Sequence, residues 1–509
     1  MKKLFAMMLA LVMVLAAVPV LAEGEETYVA KIGEQEYTTL DEAIEAANDG
    51  NTIVLLADCE TKGMNLNKDL SIDGGTDKHT VRFTQYGIAL WEKSLMFKNC
   101  KVVMDGIHST PYTAEWNWMT ICASKDASLL LENTEMTMNG AEGNTAHAIY
   151  FCSNNKLNLT DSKLEIKNYQ QDALEWDGGD GGYNVNITKS TFISDHNRSG
   201  FTGTFTAKID NSKVDVINST GNGSNGSHFE IVNGSAVNFS DNNAHGLSTG
   251  RLTIDNSTVT ANGNGANGVH AGNTLIIKNN AVVEIKKNGC RIISKYTIPG
   301  ALYVYGAEGS NIDKTSAVTI TENKGSGILL KGGSLNIEEG AKLTVMNNTA
   351  ERLEYGGGVN VRGNLTLPQN AKIYNNHAAK AGDDIYNAED ASITFGNVGS
   401  AWILDDCNHM INGWYDDAEN SRWNSTCDGK PCIAERPDHA SKVVAGTIRG
   451  PKALKAAHDA QITTEDPWYP PYNPTPVQPV QPVQPAPLPP QTGDMPLWYA
   501  VAQFLGLVK

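Results

Sequence analysis

Four segments in the middle of the chain carry an asparagine at nearly constant spacing. They are AKIDNS (207–212), FEIVNG (229–234), LTIDNS (252–257) and LIIKNN (275–280). The aligned positions, 22, 23 and 23 residues apart, are Asn211, Asn233, Asn256 and Asn279. Self-similarity at a period in the twenties is typical of solenoids, in which each repeat packs only against its neighbours. A chain of 509 residues therefore need not be divided into several globular domains.

Within a repeat, short alternating strands are joined by polar corners. In the third segment Leu252 and Ile254 point to one face, and Val259, beyond the corner at Asn256, points to the same face. Such strands are too short to fold alone, but stacking them buries their apolar side chains in one column. The pattern predicts an all-β fold, a parallel β-helix solenoid over residues 58–405 with about a dozen coils, each rising about 4.8 Å.

The repeated asparagines have a structural explanation. A sharp corner between strands favours a left-handed backbone, which Asn tolerates better than most residues. Stacked Asn amides can also bond to one another along the axis. We therefore interpret the column as a structural ladder.

The chain begins with the pattern of an export signal over residues 1–22. Lys2 and Lys3 precede an apolar run, and small residues end it at Ala22. Its removal reduces the 40 basic residues to 38 against 57 acidic ones, a formal net charge of −19. A surface this acidic argues against nucleic acid as a partner and is compatible with cations or neutral glycans.

Residues 23–57 predict an N-terminal cap made of two short strands, a short capping helix and a strand. Thr39 and Glu42 have the spacing of a capping box at the start of the helix. One face of that helix is apolar: Leu40, Ala43, Ile44 and Ala47. We expect the helix to cover the open end of the first coil, because solenoids need capped ends.

The C-terminal part of the chain changes composition twice. We assign residues 406–466 to a C-terminal cap region. Eleven prolines lie between Pro467 and Pro490, which favours an extended polyproline stalk over 467–490. Residues 491–509 form an apolar tail.

The coils resemble a known architecture. Residues 49–396 resemble the right-handed parallel β-helix of pectate-lyase-like proteins. The front cap, with GEQEYTTLDEAI and GNTIVLL, is similar to the start of β-helix surface proteins of Gram-positive gut bacteria. GDDIYN (382–387) and LDDCNHMINGWYDDAENSRWN (404–424) are similar to the C-terminal coils of those proteins. The resemblance implies a fold and a cell-surface location more than an activity.

The tail resembles a sortase sorting signal, in which L-P-x-T-G precedes an apolar stretch and basic residues. Pro490, Thr492 and Gly493 match, whereas Pro489 stands in the place of Leu and Gln503 interrupts the apolar stretch. The resemblance implies cleavage between Thr492 and Gly493 and attachment to a cell wall. The alternative is a short hydrophobic tail that rests on the membrane or packs on the protein.

Carboxylates are concentrated in one bend, QQDALEWDGGDGG (170–182), and a basic residue follows one coil later. These weak catalytic candidates are Asp172, Glu175, Asp177, Asp180 and Arg198. Lyases of the pectate-lyase-like fold use a carboxylate cluster for calcium and an Arg or Lys that removes a proton. The alternative, which we favour, is an ordinary solvent-exposed acidic bend. We predict no cofactor, although this cluster is compatible with calcium.

Aromatic residues are the better indication of function. The candidates for ligand binding are Trp91, Tyr112, Trp116, Trp118, Trp176 and Tyr183. Exposed Trp and Tyr rings stack on sugar faces, and insertions on one face of a solenoid often form its binding surface. The alternative is that these rings pack beneath the longer bends.

Cysteine and histidine are weaker signals. Cys407, His409, Cys427 and Cys432 form C-x-H…C-x4-C, a combination that can bind zinc, although a disulfide among the three thiols is the better interpretation. Most of the cysteines are predicted to be small buried residues inside coils. Five histidines that form no repeat column are predicted to lie at the surface: His147, His196, His228, His245 and His270.

These patterns predict a secreted β-helix adhesin or binding protein, displayed on the cell surface and directed at glycans or host surface proteins. The first alternative is a polysaccharide lyase or glycoside hydrolase acting on one face of the helix. The second is a structural or protein-binding surface filament.

Overall fold

The computed structural model describes residues 27–111, 118–140, 143, 145–152, 154–178, 183–289, 300–305, 309–350, 355–369, 371–396, 402–404, 409–411, 413–422, 442–443 and 445–457. The predicted export signal, stalk and tail lie outside these ranges. In the part of the chain that is described, no helix is long and apolar enough to cross a membrane.

The front of the solenoid has the predicted order of elements. Strands Ala30–Ile32 and Gln35–Tyr37 precede the one α-helix of the described residues, Leu40–Ala46, and strand Asn51–Leu55 follows it. The predicted capping box at its start is confirmed, with N···O distances of 3.2 Å in both directions between Thr39 and Glu42.

The helix closes the first coil, as predicted. It buries Leu40 and Ala43 against the apolar core, with Ile44 partly buried against it. On its outer side, Asp41 accepts a hydrogen bond of 2.6 Å from Thr61, which lies on the first coil. The helix therefore covers apolar side chains that would otherwise meet water.

Parallel strands follow one another up the axis and form three faces. Face 1 consists of Met64–Leu66, Ile88–Leu90, Met119–Ala123, His147–Cys152, Leu174–Asp177, Phe201–Gly203, Ser224–Val232, Leu247–Asp255, Val269–Lys278, Gly300–Tyr305, Ser326–Gly332, Val359–Val361 and Ile385–Asn387. Three of these strands, Ser224–Val232, Leu247–Asp255 and Val269–Lys278, continue into the second face without a break.

The other two faces complete each coil. Besides the three shared strands, face 2 consists of Asn51–Leu55, Leu70–Asp73, Ser94–Lys98, Ser128–Glu132, Lys156–Thr160, Val185–Thr188, Thr206–Asp210, Ser310–Ile312, Ser334–Ile337, Asn364–Leu367 and Ser392–Phe395. Face 3 consists of 13 strands: Cys59–Thr61, Thr80–Phe83, Lys101–Asp105, Glu135–Asn139, Lys163–Lys167, Thr191–Asp195, Lys213–Ile217, Ala236–Ser240, Thr258–Asn262, Val282–Lys286, Ala317–Thr321, Lys342–Met346 and Lys372–Tyr374. The parallel β-solenoid predicted from the repeat is therefore confirmed.

The core is one apolar column inside these faces. Side chains alternate along each strand, so that Leu129 and Leu131 are buried while the residues beside them are partly exposed. The register places like residues above one another, for example Leu129 beneath Leu157 and Leu157 beneath Val185. One continuous cluster of buried apolar residues runs from Ala30 to Ala457.

The four repeated asparagines lie at the corner between faces 2 and 3. Their φ angles are 48°, 58°, 47° and 58° for Asn211, Asn233, Asn256 and Asn279, which is the left-handed backbone that the corner requires. Bonds from one of these amides to the next are not found. Instead, Asn233 and Asn279 donate at 2.8 and 2.7 Å to an aspartate one coil earlier.

Buried polar ladders run along two other lines. At the same corner, a backbone N–H of one coil donates to a serine hydroxyl of the next, at 2.9–3.1 Å, through Ser162, Ser190, Ser212, Ser235 and Ser257. Where face 3 ends, each amide donates to the next at 2.8–3.0 Å through Asn242, Asn264, Asn288, Asn323, Asn348 and Asn376. Both ladders supply partners for polar groups that are out of reach of water.

Antiparallel strands close the far end of the solenoid. Lys452–Ala457 pairs with Ile385–Asn387, and Gly446–Arg449 pairs with Ser392–Phe395. Gly413–Asp416 pairs with Lys452–Ala457 and with Lys442–Val443. The remaining described elements are the strand pairs Thr349–Ala350 with His377–Ala378 and Trp402–Leu404 with His409–Ile411, and a 3-10 helix at Glu419–Ser421.

The cap buries a group of charges at the end of the Asn ladder. Asp384 accepts hydrogen bonds from the Asn376 amide at 2.9 Å and from the Ala456 backbone at 2.7 Å. Burial raises the pKa of Asp384 to about 7, and burial together with the charge of Asp383 raises that of Asp417 to about 6. For Asp383 the effect of burial is outweighed by its bonds to His377 and Lys455, and its pKa is lowered.

Candidate functional site

The early coils of face 1 bring several polar side chains together on the outer surface. Strand His147–Cys152 pairs in parallel with Leu174–Asp177, which places Tyr150 beside Glu175 and Phe151 beside Trp176. Because alternate residues point to opposite sides of a strand, Phe151 and Trp176 enter the core while Tyr150 and Glu175 face outward.

Aromatic rings form one half of this cluster. Trp118 is 37% exposed, and its ring meets those of Tyr150 and His147 edge-on, with centroids 5.1 and 5.4 Å away. The Tyr150 hydroxyl donates to Asp177 at 3.1 Å. Burial and this hydrogen bond raise the pKa of Tyr150, so the phenol remains a donor at neutral pH and is not a base.

Charged groups form the other half. Asp172 is fully buried, and Arg198 donates to both of its carboxylate oxygens, with an Nε–Oδ1 distance of 3.0 Å. The hydrogen bond raises the pKa of Arg198. The His147 Nδ1 atom lies 2.7 Å from Glu175 Oε2 and 3.9 Å from Asp172 Oδ2.

The predicted acidic bend is therefore only partly a surface feature. Asp172, Glu175, Asp177 and Arg198 lie together on face 1, and Asp180 lies outside the described residues. The interpretation as an ordinary exposed bend is wrong for Asp172, because its carboxylate has no access to water and is held in an ion pair. Two successive coils contribute to this group, and the coil before them adds His147 and Tyr150.

Among the predicted aromatic ligand residues, Trp176 must be reassigned. It is 1% exposed and stacks on Phe151 with ring centroids 4.5 Å apart, so it belongs to the core. The inward pleat of its strand fixes this position.

The other aromatic candidates lie in different places. Trp91 is half-buried and donates to Asn65 at 2.7 Å. Tyr183 is 41% exposed and donates to Glu230, away from the cluster. Tyr112 and Trp116 lie outside the described residues. Only Trp118 joins the charged group on face 1 among the described candidates.

The sequence did not single out His147 and Tyr150. His147 was expected at the surface, but it is 8% exposed. The alternation of HAIYFC against ALEWD, aligned one coil apart, is the signal that would have paired Tyr150 with Glu175.

Two further histidines predicted to lie at the surface, His245 and His270, are only partly exposed. Burial lowers the pKa of His245 to about 4 and lowers that of His270 as well. Their rings lie 5.9 Å apart, and His270 meets Tyr303 at 4.6 Å, edge-on. These residues form a short column on the outer side of face 1, which the sequence spacing did not predict. His196, by contrast, is exposed.

Three of the four described cysteines of the coils are buried, as expected, and Cys152 is half-buried. Cys59, Cys100 and Cys122 are free and buried, and burial raises the pKa of each to about 12, so none is an activated nucleophile. Cys407, Cys427, Cys432 and the side chain of His409 lie outside the described residues. So do the sorting residues Pro490, Thr492 and Gly493.

This arrangement permits two kinds of chemistry. An exposed indole flanked by carboxylates provides an apolar platform with hydrogen-bond acceptors, which suits a sugar ring and its hydroxyls. A buried imidazole beside two carboxylates provides groups for proton transfer or for metal binding.

No protein-family model matches the chain, and no curated protein sequence matches it. Among solved structures, the crystal structure of the periplasmic alginate epimerase AlgG is similar over 69% of this chain and 85% of that chain, with 11% sequence identity and a TM-score of 0.28. Two point mutants of AlgG match over the same shares, at 11% and 10% identity and a TM-score of 0.26. This likeness concerns the fold alone.

Proposed function

We propose that the protein is a secreted, cell-surface β-helix that binds glycans through the early coils of face 1. The observation that carries the proposal is the partly exposed ring of Trp118 beside the carboxylates of Glu175 and Asp177. Aromatic rings with convergent polar groups are the usual composition of a carbohydrate contact.

The charges favour a neutral glycan over an acidic polymer. The cation of Arg198 is engaged by Asp172, and Glu175 and Asp177 add negative charge beside Trp118. An anionic ligand would meet repulsion, and so would nucleic acid, since the whole chain carries a formal net charge of −17. Sugar hydroxyls, in contrast, donate readily to carboxylate oxygens.

The display part of the proposal rests on the sequence. Residues 1–22 have the pattern of an export signal, 467–490 that of a polyproline stalk, and 491–509 that of a sortase signal. The resemblance of the caps to surface proteins of Gram-positive gut bacteria supports the same location. Host surface proteins are the second class of ligand for such a display.

An enzymatic role has one specific observation in its favour. His147, Glu175 and Arg198 lie together, which provides a base, an acid and a cation for a polysaccharide lyase, or an acid–base pair for a glycoside hydrolase. The ion pair that engages Arg198 is the reason we place this second, because a lyase must neutralise a uronate carboxylate. Calcium bound among the carboxylates would supply that charge.

The test is a glycan array probed with the protein in the presence of calcium. The same glycans are assayed for unsaturated products and for new reducing ends. We expect binding without turnover, reduced at least tenfold in Trp118→Ala and unchanged in Tyr305→Ala, which removes an exposed ring elsewhere on the rod. Turnover would replace this proposal by the enzymatic one. Neither binding nor product formation with any glycan would favour a protein-binding or structural filament.

A further inference from the structure

The charged half of the cluster also has the composition of a metal site. Three potential ligands lie on neighbouring coils: His147 starts one face 1 strand, Asp172 precedes the next, and Glu175 lies on it. One ligand atom from each lies within 4.8 Å of the others. Parallel pairing of the two strands places these atoms next to one another on successive coils.

Unpaired atoms within this set are the second observation. His147 Nδ1 and Glu175 Oε2 are buried, and among the described residues neither has a hydrogen-bond partner. They lie 2.7 Å apart, yet the ring geometry is not that of an N–H···O bond. Buried polar atoms are almost always satisfied in proteins, so a shared partner between them is the simplest explanation.

The distances fit a small dication. Two ligand atoms that each lie about 2.1 Å from a tetrahedral zinc ion are about 3.4 Å apart. From His147 Nδ1, the carboxylate oxygens of Glu175 and Asp172 lie at 2.7 and 3.9 Å, on either side of that value. The third separation, between Asp172 and Glu175, is at most 4.8 Å, so small side-chain shifts toward a common centre would complete the coordination.

Neighbouring groups hold two of the ligands in place. Arg198 binds both oxygens of Asp172 and fixes the plane of its carboxylate. The Trp118 ring packs edge-on against the His147 imidazole at an angle of 70°. Support of this kind around the ligands is usual in metal sites.

The ligand types decide which metal is expected. Calcium takes six to eight oxygen ligands, whereas an imidazole nitrogen favours zinc and similar transition metals. We propose that His147, Asp172 and Glu175 bind a zinc-class dication on the outer side of face 1, with a coordination position left for water or a ligand hydroxyl. Three protein ligands with one open position are the pattern of catalytic zinc sites. The site does not depend on glycan binding by Trp118.

The experiment is a titration of the metal-free full chain with Zn²⁺, followed by Co²⁺ as a spectroscopic replacement. We expect one tight site, with affinity reduced at least tenfold in His147→Gln and in Glu175→Gln. The matched control is Asp177→Asn, a carboxylate on the same strand that binds Tyr150 instead, in which affinity stays within twofold. Circular dichroism melts establish that the variants are folded.

A second variant separates this site from the thiol-rich segment. In Cys427→Ser/Cys432→Ser the site on face 1 remains, and the Co²⁺ spectrum shows no thiolate-to-metal bands. The proposal is overturned if Zn²⁺ does not bind, if binding survives both His147→Gln and Glu175→Gln, if binding disappears with the cysteines, or if Ca²⁺ binds more tightly than Zn²⁺.

Discussion

The early coils and the middle coils of the solenoid differ in the length of the repeat and in the polar groups that they bury. In the middle, Ala207 pairs with Phe229, and Phe229 with Leu252, so a coil takes only 22 or 23 residues. Its buried polar groups are neutral amides and hydroxyls in ladders. In the early coils the repeat is longer, 28 residues from Leu129 to Leu157, and the buried groups include the Asp172 carboxylate and the His147 imidazole.

This difference distinguishes the middle coils, which are structural, from the early coils, which carry the candidate site. In a neutral ladder each buried amide or hydroxyl bonds to the equivalent residue one coil away, and the ladder places few functional groups on the surface. A buried charge is unfavourable unless a specific partner is supplied, as Arg198 is supplied to Asp172. The early coils therefore carry an arrangement that packing alone does not require, beside the exposed indole of Trp118.

The largest effect is expected at a core residue of the early coils. Trp176→Ala removes a fully buried indole that packs on Phe151 and Phe205, and we expect it to lower the free energy of unfolding by about 4 kcal/mol. Urea denaturation measures the change. Trp118→Ala, on the outer side of the same coils, should change stability by less than about 1 kcal/mol. Similar losses in both variants would contradict the division between core and surface.

In the middle coils the comparable test is the amide ladder. Asn288 accepts from Asn264 and donates to Asn323 and the Ala261 carbonyl, at 2.8–2.9 Å. Asn288→Ala leaves buried partners unsatisfied, and we expect a loss of about 3 kcal/mol by urea denaturation.

Its control is a member of the exposed column. Asn256→Gly keeps the left-handed corner at Asn256 and should change stability by less than about 0.5 kcal/mol. A larger loss for Asn256→Gly than for Asn288→Ala would mean that the surface column, and not the buried ladder, holds the middle coils together.

The smallest effect on stability is expected at the end of the amide ladder, where the Asn376 amide donates to the carboxyl group of Asp384. Unfolded Asp ionises near pH 4, whereas burial raises the pKa of Asp384 to about 7. Its contribution is therefore fully present below about pH 4 and is lost as the pH rises to about 7. About two pH units of this loss fall between pH 5 and pH 8, which corresponds to just under about 3 kcal/mol. Thermal unfolding at pH 5 and pH 8 should show higher stability at pH 5.

Two variants test whether Asp384 is the group responsible for this pH dependence of stability. Asp384→Asn removes the titrating group, so the difference between pH 5 and pH 8 should shrink. Asp390→Asn changes an exposed residue of the same last coil and should leave the difference unchanged. Equal pH dependence in wild type and Asp384→Asn would show that another group is responsible.

Local features of this fold are readable from the sequence. The capping box at Thr39 and the left-handed corner at Asn256 depend on a few neighbouring residues, and period and alternation predict the parallel strands. The buried amide ladder is less visible, because its members lie 22 to 35 residues apart as insertions vary.

The candidate site is least visible in the sequence because it depends on register between coils. Asp172 meets Arg198 from 26 residues away, and His147 approaches Glu175 only because their strands pair one coil apart. Composition identified the acidic bend and Trp118. It did not indicate which carboxylate is buried, nor that Trp176 turns inward while Tyr150 turns outward.

The most direct test of the account is a titration of one glycan, chosen from the array, against two single variants. Trp118→Ala alters the early coils of face 1, and Tyr303→Ala removes a ring from the histidine column of the middle coils. The account predicts that Trp118→Ala weakens binding at least tenfold and that Tyr303→Ala binds like the wild type. Unchanged binding in Trp118→Ala, with loss in Tyr303→Ala, would contradict it and place the working surface on the middle coils.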